Sequence, residues 1–257
     1  MANALPENLL SRIEDAGVNA SAPPQQRWLD GWLMRFSPGK AKRSRCIYAL
    51  AEGRWPLGDK LRWAAEAYRA AGLPMLLRIT PFIQPATLDA ELAALGMARF
   101  DDTRVMVCTA LPTNAVPAPP GTRWLKLDAD AYAMAVGELR GSPAVQRQAH
   151  AERLRASPVP HHGVVLCRDG AVIACGQMAR EAEFVGLYDV FTHAAERGQG
   201  LATAVCSHLL AEAARQGSRL GYLQVEGDNH SARRVYAGLG FVDAYGYSYR
   251  VFERDAA

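Results

Sequence analysis

Residues 197–202 read Arg197-Gly198-Gln199-Gly200-Leu201-Ala202, and they join an apolar run, Val185 to Phe191, to a helical stretch, Ala202 to Arg215. Glycines at this junction let backbone N–H groups converge on an anion, and the helix behind them adds unpaired donors and its positive dipole end. Arg197 adds a full charge. The same pattern also occurs in ordinary strand-to-helix connections, so the residues downstream decide its meaning. They are the strand-like Tyr222-Leu223-Gln224-Val225-Glu226, then Asp228-Asn229, then a helix carrying Tyr236, closed by Gly238-Leu239-Gly240-Phe241.

This ordered set resembles the GNAT superfamily of acyl-CoA-dependent N-acyltransferases, in which a pyrophosphate loop is followed by a strand, an Asn, a helical Tyr and a Gly-Phe turn. The resemblance implies an α/β protein of the α+β type. Its central mixed, mostly antiparallel sheet would be flanked by helices, and acetyl-CoA would serve as co-substrate, with no metal.

The chain has 257 residues, 49% of them hydrophobic, enough for one large domain or two modest ones. Its 29 basic and 26 acidic residues leave a formal charge of +3, too balanced for a nucleic-acid or membrane surface. Lysine is confined to Lys40, Lys42, Lys60 and Lys126, and with the alanine richness this suggests a GC-biased bacterial genome. The five cysteines are scattered without CxxC spacing and read as buried free thiols. Met1 to Leu10 lacks a basic flank followed by an apolar core, and no run approaches spanning length, so a cytoplasmic protein is expected.

A proline-rich stretch between Leu111 and Thr122 divides the chain. The expected organisation is a degenerate GNAT-like domain at 1–111, a linker at 112–121 and a catalytic GNAT domain at 122–257. In the second part Arg123 to Leu127 reads as a strand, and Asp128 and Ser142-Pro143 open helices. Gly163 to Cys167 and Ala171 to Met178 flank a hairpin turn, Arg168-Asp169-Gly170. In the first part Trp32 to Phe36 and Ile47 to Ala51 read as strands joined by the basic turn Ser37 to Arg45. Leu57 to Ala71 reads as a helix, Met75 to Thr80 as a strand, Thr87 to Leu95 as a helix and Arg99 to Cys108 as a strand.

That order repeats the second half, and Leu95-Gly96-Met97 parallels Leu239-Gly240-Phe241, so the chain reads as a diverged duplication: two tandem copies, the first incomplete. Near the positions of Gly198 and Gly200 the first copy has Glu52 and Arg54, and Leu92 replaces Tyr236. An acidic, glycine-free turn is expected to bind no pyrophosphate. The first copy would cover the catalytic one or help shape the acceptor site.

In the second copy the loop and helix start, Arg197, Gly198, Gln199, Gly200, Leu201 and Ala202, address the cofactor phosphates. The resemblance matches Asn229 to the superfamily's post-strand Asn near the pantetheine, while its sequence context equally fits a helix N-cap. It also attributes carbonyl polarisation to a backbone N–H on the strand before the loop, here within Asp189, Val190 and Phe191. Tyr236 matches the superfamily's proton donor to the departing thiolate, the alternative being a core aromatic. On the later strand the position a relative fills with Glu is Gln224, which accepts no proton at neutral pH. Asp189, interrupting an apolar strand, is the first candidate base; Glu183, Glu226 and His193 follow. A hydrogen bond to a neighbouring strand or to an Arg explains Asp189 equally well.

Elsewhere, His161-His162 reads as a solvated turn before a strand, and Lys40 to Arg45 as a charged hairpin tip. Tyr245, Tyr247 and Tyr249 alternate with Gly246, Ser248 and Arg250 as one aromatic strand face, suited to an acceptor site or to core packing. The expected function is direct transfer of an acetyl group from acetyl-CoA to a primary amine of a small molecule or peptide in a ternary complex. The competing reading is a non-catalytic acyl-CoA-binding or protein-interaction module. A homodimer would be in keeping with such enzymes.

Overall fold

The computed structural model describes residues 5–114 and 116–252. The first half runs α1 (Glu7–Ala20), β1 (Gln25–Leu29), β2 (Trp32–Phe36), β3 (Ile47–Ala49), α2 (Leu57–Ala70), β4 (Leu77–Ile79), α3 (Leu88–Ala94) and β5 (Ala98–Cys108). The second runs β6 (Arg123–Leu127), α4 (Ala129–Leu139), α5 (Ala144–Ala156), β7 (His161–Arg168), β8 (Ala171–Glu181), β9 (Phe184–Thr192), α6 (Leu201–Arg215), β10 (Leu220–Glu226), α7 (His230–Gly238) and β11 (Val242–Val251).

Local chemistry accounts for several boundaries. Asp128 caps α4 by accepting the Ala131 N–H at 2.8 Å. Asp169 and Gly170 both take positive φ, as a two-residue hairpin turn between β7 and β8 requires. At the proline-rich stretch the described residues form neither helix nor strand.

The strands form one eleven-stranded sheet in the order β1-β2-β3-β4-β11-β5-β10-β9-β8-β7-β6. Pairing is antiparallel except for β3 with β4 and β9 with β10, the two pairs bridged by a crossover helix. These matching units, β3-α2-β4 and β9-α6-β10, are the duplication in structural form. The halves also exchange their last strands: β5 lies between β10 and β11, and β11 lies between β5 and β4.

Alternation along β5 divides the core. Val105 and Val107 face α1, in a cluster with Ile13, Ala16, Tyr188 and Tyr249. Met106 faces the other way, with Leu201, Val205, Leu209 and Tyr236 of α6 and α7. α2 packs with α3 over β2 to β4, and α4 with α5 over β7 and β8. The approach of α6 is close: a Cβ at Gly176 would stand 2.4 Å from Val205.

α1 and β1 have no counterpart in the elements expected from sequence. Burial drives α1 onto the sheet, and its Glu14 pairs with buried Arg78 of β4 and accepts from the Tyr245 hydroxyl of β11 at 2.7 Å. His161 and His162 begin strand β7 and do not form a solvated turn. His161 is half-buried and pairs through Nδ1 with Gln177 Oε1 at 3.1 Å, which draws the strand two residues beyond the expected start.

Because β10 and β11 both use β5 as a neighbour, residues 122–252 expressed alone lose the strand that joins them. That fragment is expected to show no cooperative urea transition; a cooperative transition with the near-UV circular dichroism of the intact chain would contradict it.

Candidate active site

Gly198 and Gly200 both have positive φ, 81° and 73°, and Gly200 stands at the N-cap of α6. Among the described residues, none donates a hydrogen bond to a protein acceptor from the backbone N–H groups of Gly198 through Thr203. A run of free donors at a helix start is an anion site. Leu201 and Ala202 form the first turn of α6, and Arg197 is exposed, its guanidinium 5.9 Å from the Phe191 ring. The loop is braced from the β7–β8 hairpin: Arg168 pairs with Glu196 at 2.5 Å and donates to Gln199 Oε1 at 3.1 Å, while Gln199 Nε2 donates to Glu196.

The corresponding turn of the first half, between β3 and α2, contains Gly53 beside Glu52 and Arg54, so it is not free of glycine. Its donors are taken internally. Asp30 accepts from the N–H groups of Arg54 and Trp55 at 2.9 and 2.8 Å, and these bonds hold its carboxyl below the ordinary value. A Cβ at Gly53 would lie 2.1 Å from Asp30 Oδ2, so the glycine serves this internal contact. The carboxylate stands where the second half leaves its donors open.

β9 and β10 pair in parallel only as far as Leu187 and Leu223. Beyond them β10 follows β5, to the pair Glu226 and Thr103, while β9 stays with β8. At Asp189, φ 54°, a bulge takes Asp189 and Val190 out of the β8 ladder. The divergence opens a cavity of about 530 Å³ lined by Asp189, Val190, Phe191, Gln224, Asn229 and Tyr236, among others.

Asn229 caps α7, accepting the Ala232 N–H at 3.1 Å, and also lines the cavity. Tyr236 is largely buried against Phe241, and burial, reinforced by the Cys206 thiol, pushes its phenol above the ordinary value. Gln224 accepts from the Tyr247 hydroxyl at 2.8 Å. Tyr247 and Tyr249 line the cavity, whereas Tyr245 is committed to Glu14. Of the carboxylates, Glu226 lines the cavity from the exposed end of β10. Glu183 lies at the opposite end of β9, paired with Arg12 at 2.5 Å, and His193 caps a short turn in solvent.

Asp189 is the most constrained of these groups. Burial pushes its pKa up, but His150 and Arg140 outweigh burial and hold the carboxyl well below the usual range. Arg140 donates to Oδ1 at 3.1 Å. His150 Nε2 stands 3.1 Å from Oδ2, a contact distance without hydrogen-bond alignment, since both atoms lack a hydrogen-bond partner.

The matching family is described as "Probable histone acetyltransferase Rv0428c C-terminal", and the match spans residues 10–250. The chain belongs to this family of GNAT acetyltransferases. It is 23% identical over 229 residues to the uncharacterized N-acetyltransferase YobR of Bacillus subtilis, covering 88% of this chain and 92% of the relative. A GCN5-related N-acetyltransferase from Kribbella flavida shares the fold at TM-score 0.66 and 16% identity, over 95% of each chain. A tandem GNAT protein from the clavulanic acid biosynthesis pathway matches at TM-score 0.59 and 18% identity, over 77% of this chain and 70% of its own.

In this GNAT chain the cavity is also lined by Arg43, Arg140, His150 and Arg153, none of them a site candidate from sequence. Lys40 to Arg45 is not a free hairpin tip. It folds over the sheet, with Arg43 above the Tyr188 ring at 5.2 Å and Lys42 paired with Asp101 at 2.5 Å. Its basic run was the available signal; Arg140 ends α4 and His150 and Arg153 lie within α5, with no motif. Among the described residues no group of three His, Cys, Asp or Glu is placed to hold a metal, and no helix is long and apolar enough to cross a membrane.

Burial, with the Arg153 charge acting in the same direction, pushes His161 from 6.5 down to about 4. Between those values the unfolded chain binds a proton that the folded one does not, so stability is full above pH 6.5 and falls as pH drops towards 4. The loss is about 2–3 kcal/mol for this half-buried ring. Urea unfolding at pH 7 and 4.5 should show it, with His161→Gln removing most of the difference; an equal difference in the variant would contradict the assignment.

Proposed function

We propose that the protein transfers an acetyl group from acetyl-CoA directly to a primary amine within a ternary complex. The observation that carries this reading is a pairing of features on one face of the sheet: unpartnered donors at Gly198 to Thr203 open α6, whose Leu201 shares a core with Tyr236, and Tyr236 lines the cavity where β9 and β10 part. When bound, acetyl-CoA supplies a thioester whose acetyl group passes to the amine.

The residues fit that co-substrate. Backbone N–H groups from Gly198 onward would hold the pyrophosphate, and the bulge at Asp189 to Phe191 would supply a backbone donor for the thioester carbonyl. Asn229, which lines the cavity, would contact the pantetheine arm with the hydrogen-bonding capacity its cap leaves. Tyr236, its phenol raised by burial, remains protonated at neutral pH and donates that proton to the departing sulfur.

The base is assigned away from Asp189. A carboxylate held well below its usual range is a poor proton acceptor. His150, which it faces, accepts the proton lost by the amine, and Asp189 acts as a positioning residue that stabilises the imidazolium. Gln224 is a polar wall held by Tyr247.

Calorimetric titration with acetyl-CoA tests the cofactor site. A Gly198→Asp, Gly200→Asp double variant should lose binding, and no binding by the wild type would sink the reading. Tyr236→Phe should keep acetyl-CoA affinity within about twofold and lower kcat by about 10²-fold or more, measured by thiol release. Unchanged kcat would remove Tyr236 from the chemistry.

A further inference from the structure

The cavity carries more cationic side chains than acetyl transfer itself requires. Lys40, Lys42, Arg43, Arg140, Arg147 and Arg153 line it, against the carboxylates Asp101, Asp189 and Glu226. Three cations have acidic partners: Lys42 with Asp101, Arg140 with Asp189, and Arg147 with Glu138 at 3.3 Å. The guanidinium of Arg43 has no hydrogen bond or ion pair among the described residues, only the Tyr188 ring beneath it. Arg153 donates one bond, to the Ala20 carbonyl at 3.1 Å. Burial lowers the Arg153 pKa, and like charge on Arg43 acts in the same direction against the pull of Asp189.

Two half-buried guanidinium groups that line one cavity with spare donors are costly unless an anion joins them. The sheet separates them from the cofactor loop. Arg43 lies over Tyr188, which belongs to the core on the α1 face, whereas Leu201 and Tyr236 belong to the core on the α6 face. Residues of both faces, Tyr188 and Tyr236, line the one cavity that opens where β9 and β10 part.

Resting on the acetyltransferase reading, we infer that the acceptor is an amine that also carries an acidic group, a carboxylate or a phosphate, which Arg43 and Arg153 bind. The same positive field favours the neutral form of the amine, the form that attacks the thioester. The amine nitrogen bonds to the acetyl carbon, the carbon–sulfur bond breaks, the amine proton goes to His150 and the thiolate takes the Tyr236 proton. A lysine-rich peptide is the acceptor such a wall disfavours.

The test uses the full chain, first titrated calorimetrically with acetyl-CoA and then assayed for thiol release with matched amines. The probes are each common L-amino acid against its carboxamide, O-phosphoethanolamine against ethanolamine, and a lysine-rich peptide. The acidic member of at least one pair should exceed its neutral partner by about tenfold or more in kcat/KM. Arg43→Gln should erase that preference and Arg43→Lys restore part of it, both with acetyl-CoA affinity within about twofold of wild type. Equal or better turnover of neutral amines or of the peptide overturns the proposal.

If no probe is acetylated, inorganic phosphate titrated into the CoA-saturated protein decides. Binding that Arg43→Gln weakens about tenfold supports it; no binding, or phosphate that competes with CoA, overturns it. Competition would mean that these cations serve the cofactor. Failure of acetyl-CoA to bind in the first titration would overturn the acetyltransferase reading and this inference with it, whereas cofactor binding without acid preference overturns only the inference.

Discussion

Strand β10 is held along Gly221 to Glu226 by β5 but along only Leu220 to Leu223 by β9, and this unequal pairing is the constraint on which the site depends. A strand cannot follow two diverging neighbours, so the better-paired edge determines its course. Since β5 belongs to the first half of the chain, the gap in the second half is made by an element outside the linear stretch carrying the glycine loop and Tyr236. The first half is thereby a structural component of the site as well as a cover for it.

The buried ion pair at the seam serves the same end. Arg78 of β4 pairs with Glu14 of α1 and lies 3.7 Å from the Tyr247 ring of β11, so three elements meet at one charge. Such a pair adds little net stability over apolar packing, yet it disfavours alternative registers because either charge alone would be buried without a partner. Correct placement of β11 in turn brings Tyr247 to Gln224 and Tyr249 to the cavity wall. The two halves also handle one inherited turn differently. In the first, Asp30 satisfies the N–H groups of Arg54 and Trp55; in the second, the donors of Gly198 to Thr203 stay open and Arg168 steadies the loop from outside.

What could be read from sequence was what depends on local order. The glycine pair before α6, the spacing from Asn229 to Tyr236, and the crossover units β3-α2-β4 and β9-α6-β10 all lie within short stretches, so pattern alone located them. The exchange of β5 and β11 is a choice of partner made by the folded chain, and no periodicity records it. Asp30 plugs a turn more than twenty residues away, and Arg43, Arg140, His150 and Arg153 converge from a loop and two helices with no shared motif. Asp189 was legible as an anomaly, a carboxylate in an apolar strand. Its partners Arg140 and His150, which hold its carboxyl well below the usual range, were not.

The central claim is that the diverging strands and the open loop together hold acetyl-CoA. A crystal structure of the chain with acetyl-CoA tests it most directly. The account predicts pyrophosphate density on the N–H groups of Gly198 to Thr203, with the pantetheine arm running between β9 and β10 beyond Leu187 and the thioester within reach of the Tyr236 hydroxyl. Acetyl-CoA bound elsewhere, or absent at saturating concentration with the gap unchanged, would contradict it.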